Sequence, residues 1–286
     1  MNRYKMELDH VTVPEGAVES LMERANAPRK KTGWLRPVAA AACLALMVAL
    51  PVGAAVKKLV VDYRPVEELP EYMQQEHTVG GFVVENPYHV EADAFSEELQ
   101  QFVASLDPSI YEAQSLYFDS WEEAERFIGI DLFDNPVLDN AEKMETRYLK
   151  DGEVTAVSHC RVDVGVTNMG EDRLQDVRTD AYYRVNGGSV SISALLSTDE
   201  GGSVIGTAQL LPQEEMEDSV RYGPVENGAT ASGLEYSIAY GQRQKFKGWN
   251  AEVFLIIKNA TVNLGFSAPD ESTLRATVQQ VMDGFQ

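Results

Sequence analysis

The side chains of this chain able to do chemistry are few and scattered. Four histidines occur, at His10, His77, His89 and His159, and two cysteines, Cys43 and Cys160. His159 and Cys160 are adjacent, which would suggest a thiolate–imidazole pair. They lie in an alternating segment, however, where neighbouring side chains point to opposite faces of a sheet. Cys160 falls on the apolar register, the position of a buried structural thiol. The run Asp131-Leu132-Phe133-Asp134-Asn135-Pro136 through Asp139 offers carboxylates but lacks the 1-3-5 ligand spacing and the glycine of a calcium loop. An ordinary acidic loop with a turn-forming Asn-Pro is the simpler reading.

Motifs for catalysis are missing from the sequence. There is no G-x-S-x-G, no supported S-x-x-K, no P-loop and no G-x-G-x-x-G. No Cys-x-x-Cys pattern is present, and nothing nominates a carboxylate pair for glycoside hydrolysis. The reading is therefore of a non-enzyme with no catalytic residues, no cofactor and no metal. Asn259-Ala260-Thr261 is a formal glycosylation sequon that falls in a tight hairpin. The aromatics Tyr182, Tyr183, Tyr236, Tyr240, Trp249 and Phe254 fit core packing and cross-strand pairing. They also fit a ligand groove on a curved sheet, for which Tyr182, Tyr236, Tyr240 and Trp249 are the candidate lining residues.

These residues are carried on a chain of distinct parts. Pro37–Val56 is an uncharged apolar stretch, with Arg29, Lys30, Lys31 and Arg36 before it and Lys57 and Lys58 after it. About 20 apolar residues is the length of a membrane-spanning helix. A cleaved signal peptide would need a charged region of about 36 residues ahead of it, longer than usual. A lipoprotein signal at Cys43 would leave most of the apolar region after the modified cysteine. A buried core helix sits poorly with basic clusters at both ends. A single-pass anchor is the favoured reading. Near the span the N-terminal flank carries five Lys/Arg and the C-terminal flank three, which places the N-terminus in the cytoplasm.

The charge divides the same way. Residues 1–36 hold seven basic and five acidic residues; the rest holds 17 basic and 40 acidic, about −23. So acidic a domain repels nucleic acid and anionic lipid surfaces, so no direct nucleic-acid partner is expected. With Cys43 inside the span and Cys160 far into the outer domain, the two cannot pair and no disulfide framework is available.

In the tail, Thr12-Val13-Pro14-Glu15 matches a capping box with proline in the first turn. Val18, Leu21, Met22 and Ala25 then recur on one face, predicting a helix over about 14–26 that Pro28 ends. So short a helix cannot bury its stripe on itself. It is either a topogenic tail or a recognition helix for a partner's groove, with those four residues as the contacts. Residues 57–80 mix Pro65, Pro70 and charge, and read as a stalk or linker.

Residues 81–286 read as one extracytoplasmic α+β domain. One helix carries Phe95, Leu99, Phe102, Val103 and Leu106. A second begins at Ser120-Trp121-Glu122-Glu123, turns Trp121, Ala124, Phe127 and Ile128 inward, and ends at Gly129. Ser115 to Phe118 fits a short strand between them. From about Met144 the apolar period changes to two. Hairpins are expected around Asn186-Gly187-Gly188 and Lys258-Asn259. A last helix follows Asp270, with Leu274, Val278, Val281, Met282 and Phe285 on one stripe. The expectation is an antiparallel sheet covered on one face by helices.

This layout resembles the membrane-anchored anti-sigma-factor-like proteins encoded beside extracytoplasmic-function sigma factors of Gram-positive bacteria. The resembling residues are Tyr4-Lys5, Leu8-Asp9, Val11 and Val13-Pro14-Glu15, the tail helix through Met22, and the Ala-rich stretch from about residue 37. In the outer part they are Ser120 to Ala124, Gly129, Trp249, the Phe254 to Phe266 hairpin and the final helix, which resemble an uncharacterised extracytoplasmic family. The resemblance implies a single-pass membrane regulator whose tail holds a sigma factor until an outer signal releases it, often through membrane proteases. The chain departs from the zinc-binding branch of that group, since no cysteine precedes Cys43. The alternative is a membrane-anchored extracytoplasmic module that binds an envelope ligand or protein and has no transcriptional role.

Overall fold

In the computed structural model the chain divides into two units, 1–56 and 57–286. The described residues are 58–285, apart from 75–77, 108, 110–112, 133, 151–152, 168–172, 211–219 and 244–247. The tail helix with Val18, Leu21, Met22 and Ala25, and the Pro37–Val56 span, lie outside them.

The second unit is built chiefly of strands, and this corrects the α+β expectation. Its centre is a ten-stranded antiparallel sheet. Along the main path run β3 (Gln114–Phe118), β7 (Cys160–Val166), β8 (Leu174–Val185), β9 (Gly188–Ser197), β15 (Ala260–Ala268), β14 (Trp249–Ile257), β13 (Glu235–Arg243) and β11 (Val220–Tyr222). They are H-bonded in the order β11-β13-β14-β15-β9-β8-β7-β3; β12 (Glu226–Ala229) adds to β13 and β4 (Glu142–Lys143) to β8. A second, three-stranded sheet joins β1 (Val60–Pro65), β2 (Thr78–Asn86) and β10 (Ser203–Leu210) in the order β1-β2-β10, and β5 (Thr146–Lys150) pairs with β6 (Glu153–Ser158). Among the described residues the α-helices are α1 (Glu97–Ser105), α2 (Trp121–Ile128), α3 (Pro136–Asp139) and α4 (Glu271–Gly284). None is long and apolar enough to cross a membrane.

Residues 60–65, expected in a stalk, are a strand: β1 pairs with β2 from Val60↔Glu85 to Pro65↔Gly80. Proline is tolerated there because β1 lies at the edge of its sheet, where one side of the strand needs no donor. The period-two alternation that begins at about Met144 is divided among β5, β6 and β7. His159 breaks it where the chain leaves the two-stranded ribbon for the main sheet. Both expected hairpins form. Asn186 and Gly187 have φ of 51° and 81°, and Lys258 and Asn259 have φ of 47° and 69°. Paired left-handed residues supply the turn twist that two-residue hairpins need.

The helices pack on one face of the main sheet. There Val162, Val164, Val177, Ala181, Val190, Ile192, Val253, Leu255, Val262, Leu264 and Phe266 meet Leu99, Trp121, Ala124, Ile128, Leu274, Val278 and Val281 in one buried core. Ser96 caps α1 and ties it to α2. The Ser96 hydroxyl accepts from Leu99 N at 3.0 Å, and Ser96 N donates to Ile128 O at 2.9 Å. Gly129 closes α2 at φ 87°, and a Cβ there would stand 2.4 Å from Ser96 N. Glycine is thus required twice, for the left-handed cap and for close approach.

The opposite face of the sheet is divided. Over β13 and β14 it is covered by the small sheet through Phe82, Val84, Ala239 and Phe254, with Tyr63 and Tyr222 alongside. Phe82 is the hub, its ring centroid 5.0 Å from Tyr63, 4.9 Å from Tyr222 and 5.2 Å from Phe254, tilted or edge-on in each case. Such aromatic contacts add to the stabilisation from burial alone. Helices therefore cover one face while strands cover part of the other, which strand-by-strand periodicity does not disclose.

Candidate functional site

Over β7, β8 and β9 the second face stays open, and strand register decides what it displays. Arg161 faces Asp180, Asp180 faces Ser193, and Ser193 faces Asn263. Residues directly opposite on paired strands share a face, so these four form one polar ladder. At about 4.8 Å between strands, the ladder extends roughly 14 Å across the sheet. At its β3 end stands Tyr117, opposite Arg161. One row away lie Arg178, opposite Asp163 and Leu195, and Tyr182, opposite Ser191.

A cavity of about 300 Å³ lies on this face, bounded by Val84 of the small sheet and Phe254 where the two sheets meet, with Arg161, Arg178, Asp180, Tyr182, Ser193 and Asn263 along its floor. That volume is at the lower end for ligand pockets. Tyr182 and Tyr117, each 40% exposed, present two aromatic rings on the same face.

The charges in the groove are unequally committed. The Arg161 guanidinium lies 2.9 Å from Asp163 and 3.0 Å from Asp180, and neither carboxylate is widely exposed. The Asp163 carboxylate also accepts from the Ser115 hydroxyl at 2.6 Å. Arg178 is exposed and makes no ion pair or hydrogen bond to another described residue. Burial pushes the Tyr182 hydroxyl above its ordinary pKa, as does the Asp180 charge, while Arg161 and Arg178 oppose the shift.

Under the small sheet the same face holds Glu252. Its carboxylate accepts from Asn263 Nδ2 at 2.9 Å and from the Tyr222 hydroxyl at 3.4 Å. Burial pushes its carboxyl up to about 7, against the downward pull of those two hydrogen bonds. Asn263 thus touches the groove on one side and the buried carboxyl on the other.

The aromatics expected in one groove are separated by the sheet. Tyr182 lines the open face. Tyr236, Tyr240 and Trp249 pack against the core on the helix side. Tyr240 lies under the Arg275 guanidinium of α4, 4.2 Å from its ring centroid. The odd–even parity of strand positions produces this division. Ladder residues such as Ser193 and Asn263 give no signal in sequence, because a polar outward position is the ordinary composition of a half-exposed strand.

The remaining candidates are structural. Cys160 is 1% exposed, its thiol 3.3 Å from the Thr179 hydroxyl and pushed by burial up to about 12. In the acidic loop, Asp131 pairs with Lys258, and Asn135 caps α3 and donates to Val281 O at 3.0 Å. Asn259 of the sequon donates to His89 O at 2.9 Å. A wider hollow of about 610 Å³ beside α1 is lined by His89, Glu91, Asp93, Gln100, Thr198 and Glu200. Among the described residues no cluster of three His, Cys, Asp or Glu side chains is placed to hold a metal ion.

Searches against family models, curated proteins and solved structures find no match to the chain.

Proposed function

We propose that residues 58–286 are the ligand-sensing domain of a membrane-associated regulator whose N-terminal tail engages a sigma factor. The observation that carries the reading is the walled polar groove on the open half of the main sheet, where Arg178, with no direct ion pair among the described residues, and an exposed Tyr182 flank Asp180 along β8. The titratable groups around it suit holding over proton transfer. Arg161 is clamped by Asp163 and Asp180, and Glu252 is bound to Asn263. The tail's apolar stripe at Val18, Leu21, Met22 and Ala25, and the basic-flanked segment 37–56, support the regulatory half and an extracytoplasmic place for the groove.

Two variants of the full chain test the reading. Leu21→Asp with Met22→Asp should release the sigma factor and change transcription from its promoters. Ser193→Trp, which fills the groove, should leave sigma-factor capture intact but hold transcription at one level across growth conditions. Unchanged transcription with both variants, each shown to be folded, overturns the proposal.

The groove belongs to the outer unit alone, which also favours a second reading, an envelope binding module without a transcriptional role. Exchanging residues 1–36 for an unrelated basic leader separates the two. Full activity after the exchange supports the module; lost regulation supports the sensor.

A further inference from the structure

We infer that the groove takes an acidic saccharide, a short oligosaccharide bearing a carboxylate on its sugar rings. This rests on the reading of the groove as a binding site and names the ligand class for it.

Three features of the groove select that chemistry together. The first is the ladder Arg161–Asp180–Ser193–Asn263. It sets donors beside acceptors: the Arg161 guanidinium with the Asp180 carboxylate, then a hydroxyl, then an amide. Hydroxyl groups both donate and accept, so a surface alternating the two functions complements a polyol better than an apolar ligand or a bare anion. The Asn263 amide nitrogen is already held by Glu252 Oε2 at 2.9 Å, which turns its carbonyl oxygen into a fixed acceptor.

The second feature is apolar. Tyr182 leaves 40% of its surface uncovered on this face, and Leu195, Phe254 and Val84 add apolar lining elsewhere in the same cavity. A sugar ring has an apolar C–H face that stacks on an aromatic ring while its edge hydroxyls reach polar groups. An aromatic platform at the side of a polar ladder suits such a two-sided ligand.

The third feature is Arg178. On a chain of net charge −21, an arginine with no direct ion pair among the described residues, and with Asp176 within electrostatic reach on its own strand, directs a ligand anion to that point. Its register partner Asp163 already serves Arg161, so the Arg178 fork is free to hold a planar carboxylate in bidentate fashion. Arg161, Arg178, Asp163 and Asp180 balance one another, and Asp176, two positions before Arg178 on the same face, adds one further carboxylate within its electrostatic reach. A bound carboxylate is therefore tolerated only where the Arg178 fork meets it directly.

Binding is measured by calorimetry on the full chain in detergent, with oligogalacturonate, alginate and hyaluronan oligomers as probes of three stereochemistries. Methyl-esterified oligogalacturonate and sodium acetate serve as the neutral-ring and anion-alone controls. At least one acidic oligomer should bind, and its esterified or carboxyl-reduced form should bind at least tenfold more weakly. Arg178→Gln should abolish that discrimination, and Tyr182→Ala should weaken both forms. Equal affinity for charged and neutral rings overturns the carboxylate assignment, and acetate binding as tightly as the oligomers overturns the saccharide. No binding by any of the three, with the fold verified, overturns the ligand class. If Ser193→Trp still fixes transcription in that case, the sensor reading stands without this ligand.

Discussion

The amide of Asn263 on β15 donates to the carboxylate of Glu252 on β14 at 2.9 Å, joining the floor of the open groove to an ionisable group beneath the small sheet. Ligand contact with Asn263 is therefore contact with the partner of a carboxyl that titrates near neutrality.

Stability should fall as pH rises through about 7 because of Glu252. Its folded-state pKa, about 7, lies above the ordinary glutamate value of 4.5. The folded protein thus binds the proton more tightly than the unfolded chain. The contribution is fully present below about pH 4.5 and is lost as pH climbs past 7. The full difference is about 3–4 kcal/mol at about 1.4 kcal/mol per pKa unit, most of it falling between pH 5 and pH 8.5. Chemical denaturation at pH 5 and pH 8.5 should show it, and Glu252→Gln should flatten the profile and stabilise the protein at the higher pH. An unchanged slope in the variant refutes the assignment.

Phe254→Ala should destabilise the protein by about 3–5 kcal/mol, the usual range for emptying a buried phenylalanine site. The side chain is 1% exposed and meets Phe82 across the contact between the two sheets. Loss of the Tyr63 and Tyr222 near-UV dichroism ahead of global unfolding would show the small sheet loosening first. Coincident loss would show that the two sheets unfold together.

Gly129→Ala should cost about 1–3 kcal/mol, more than a simple propensity change. The residue sits at φ 87°, and its new methyl would meet the Ser96 backbone. Urea midpoints for Gly129→Ala and Gly129→Asn check this. Asparagine tolerates the left-handed region but keeps the clash, so both variants should fall together.

Arg161→Met should destabilise by about 1–3 kcal/mol, because it leaves Asp163 and Asp180 near each other without their shared cation. Adding Asp163→Asn to Arg161→Met should recover part of the loss, since one of the two facing carboxylates is then gone. No recovery in urea midpoints would assign the effect to packing of the arginine stem.

Cys160 should be inert to thiol reagents in the folded protein. Burial raises its thiol to about 12, so the thiolate fraction at neutral pH is minute. In a Cys43→Ser background, labelling should appear only with denaturant and follow the unfolding curve. Labelling under native conditions would refute the buried placement.

The open face and its groove were only partly legible beforehand. Aromatic type marks Tyr182 as a groove residue, but it marks Tyr236, Tyr240 and Trp249 equally, and the sheet sends those three to the helix side. Type alone does not reveal face; parity relative to the core does, and parity is fixed by which neighbours pair. The ladder from Arg161 to Asn263 draws on four strands separated by as many as 102 positions in sequence. No local pattern encodes that register.

By itself, the sequence determined what depends on near neighbours. The cap at Ser120, the terminator at Gly129, the left-handed turns at Asn186-Gly187 and Lys258-Asn259, and the buried parity of Cys160 all follow from local sterics and alternation. Tertiary structure alone decided what depends on distant ones. It drew residues 60–65 out of an apparent stalk into a sheet, laid that sheet over half of the second face, and left the other half open. The physical reason is that a strand's second face is buried or bare according to what arrives from elsewhere in the chain. Glu252 and Asp180 have similar outward positions in their strands, yet one lies under an aromatic lid and the other in a groove.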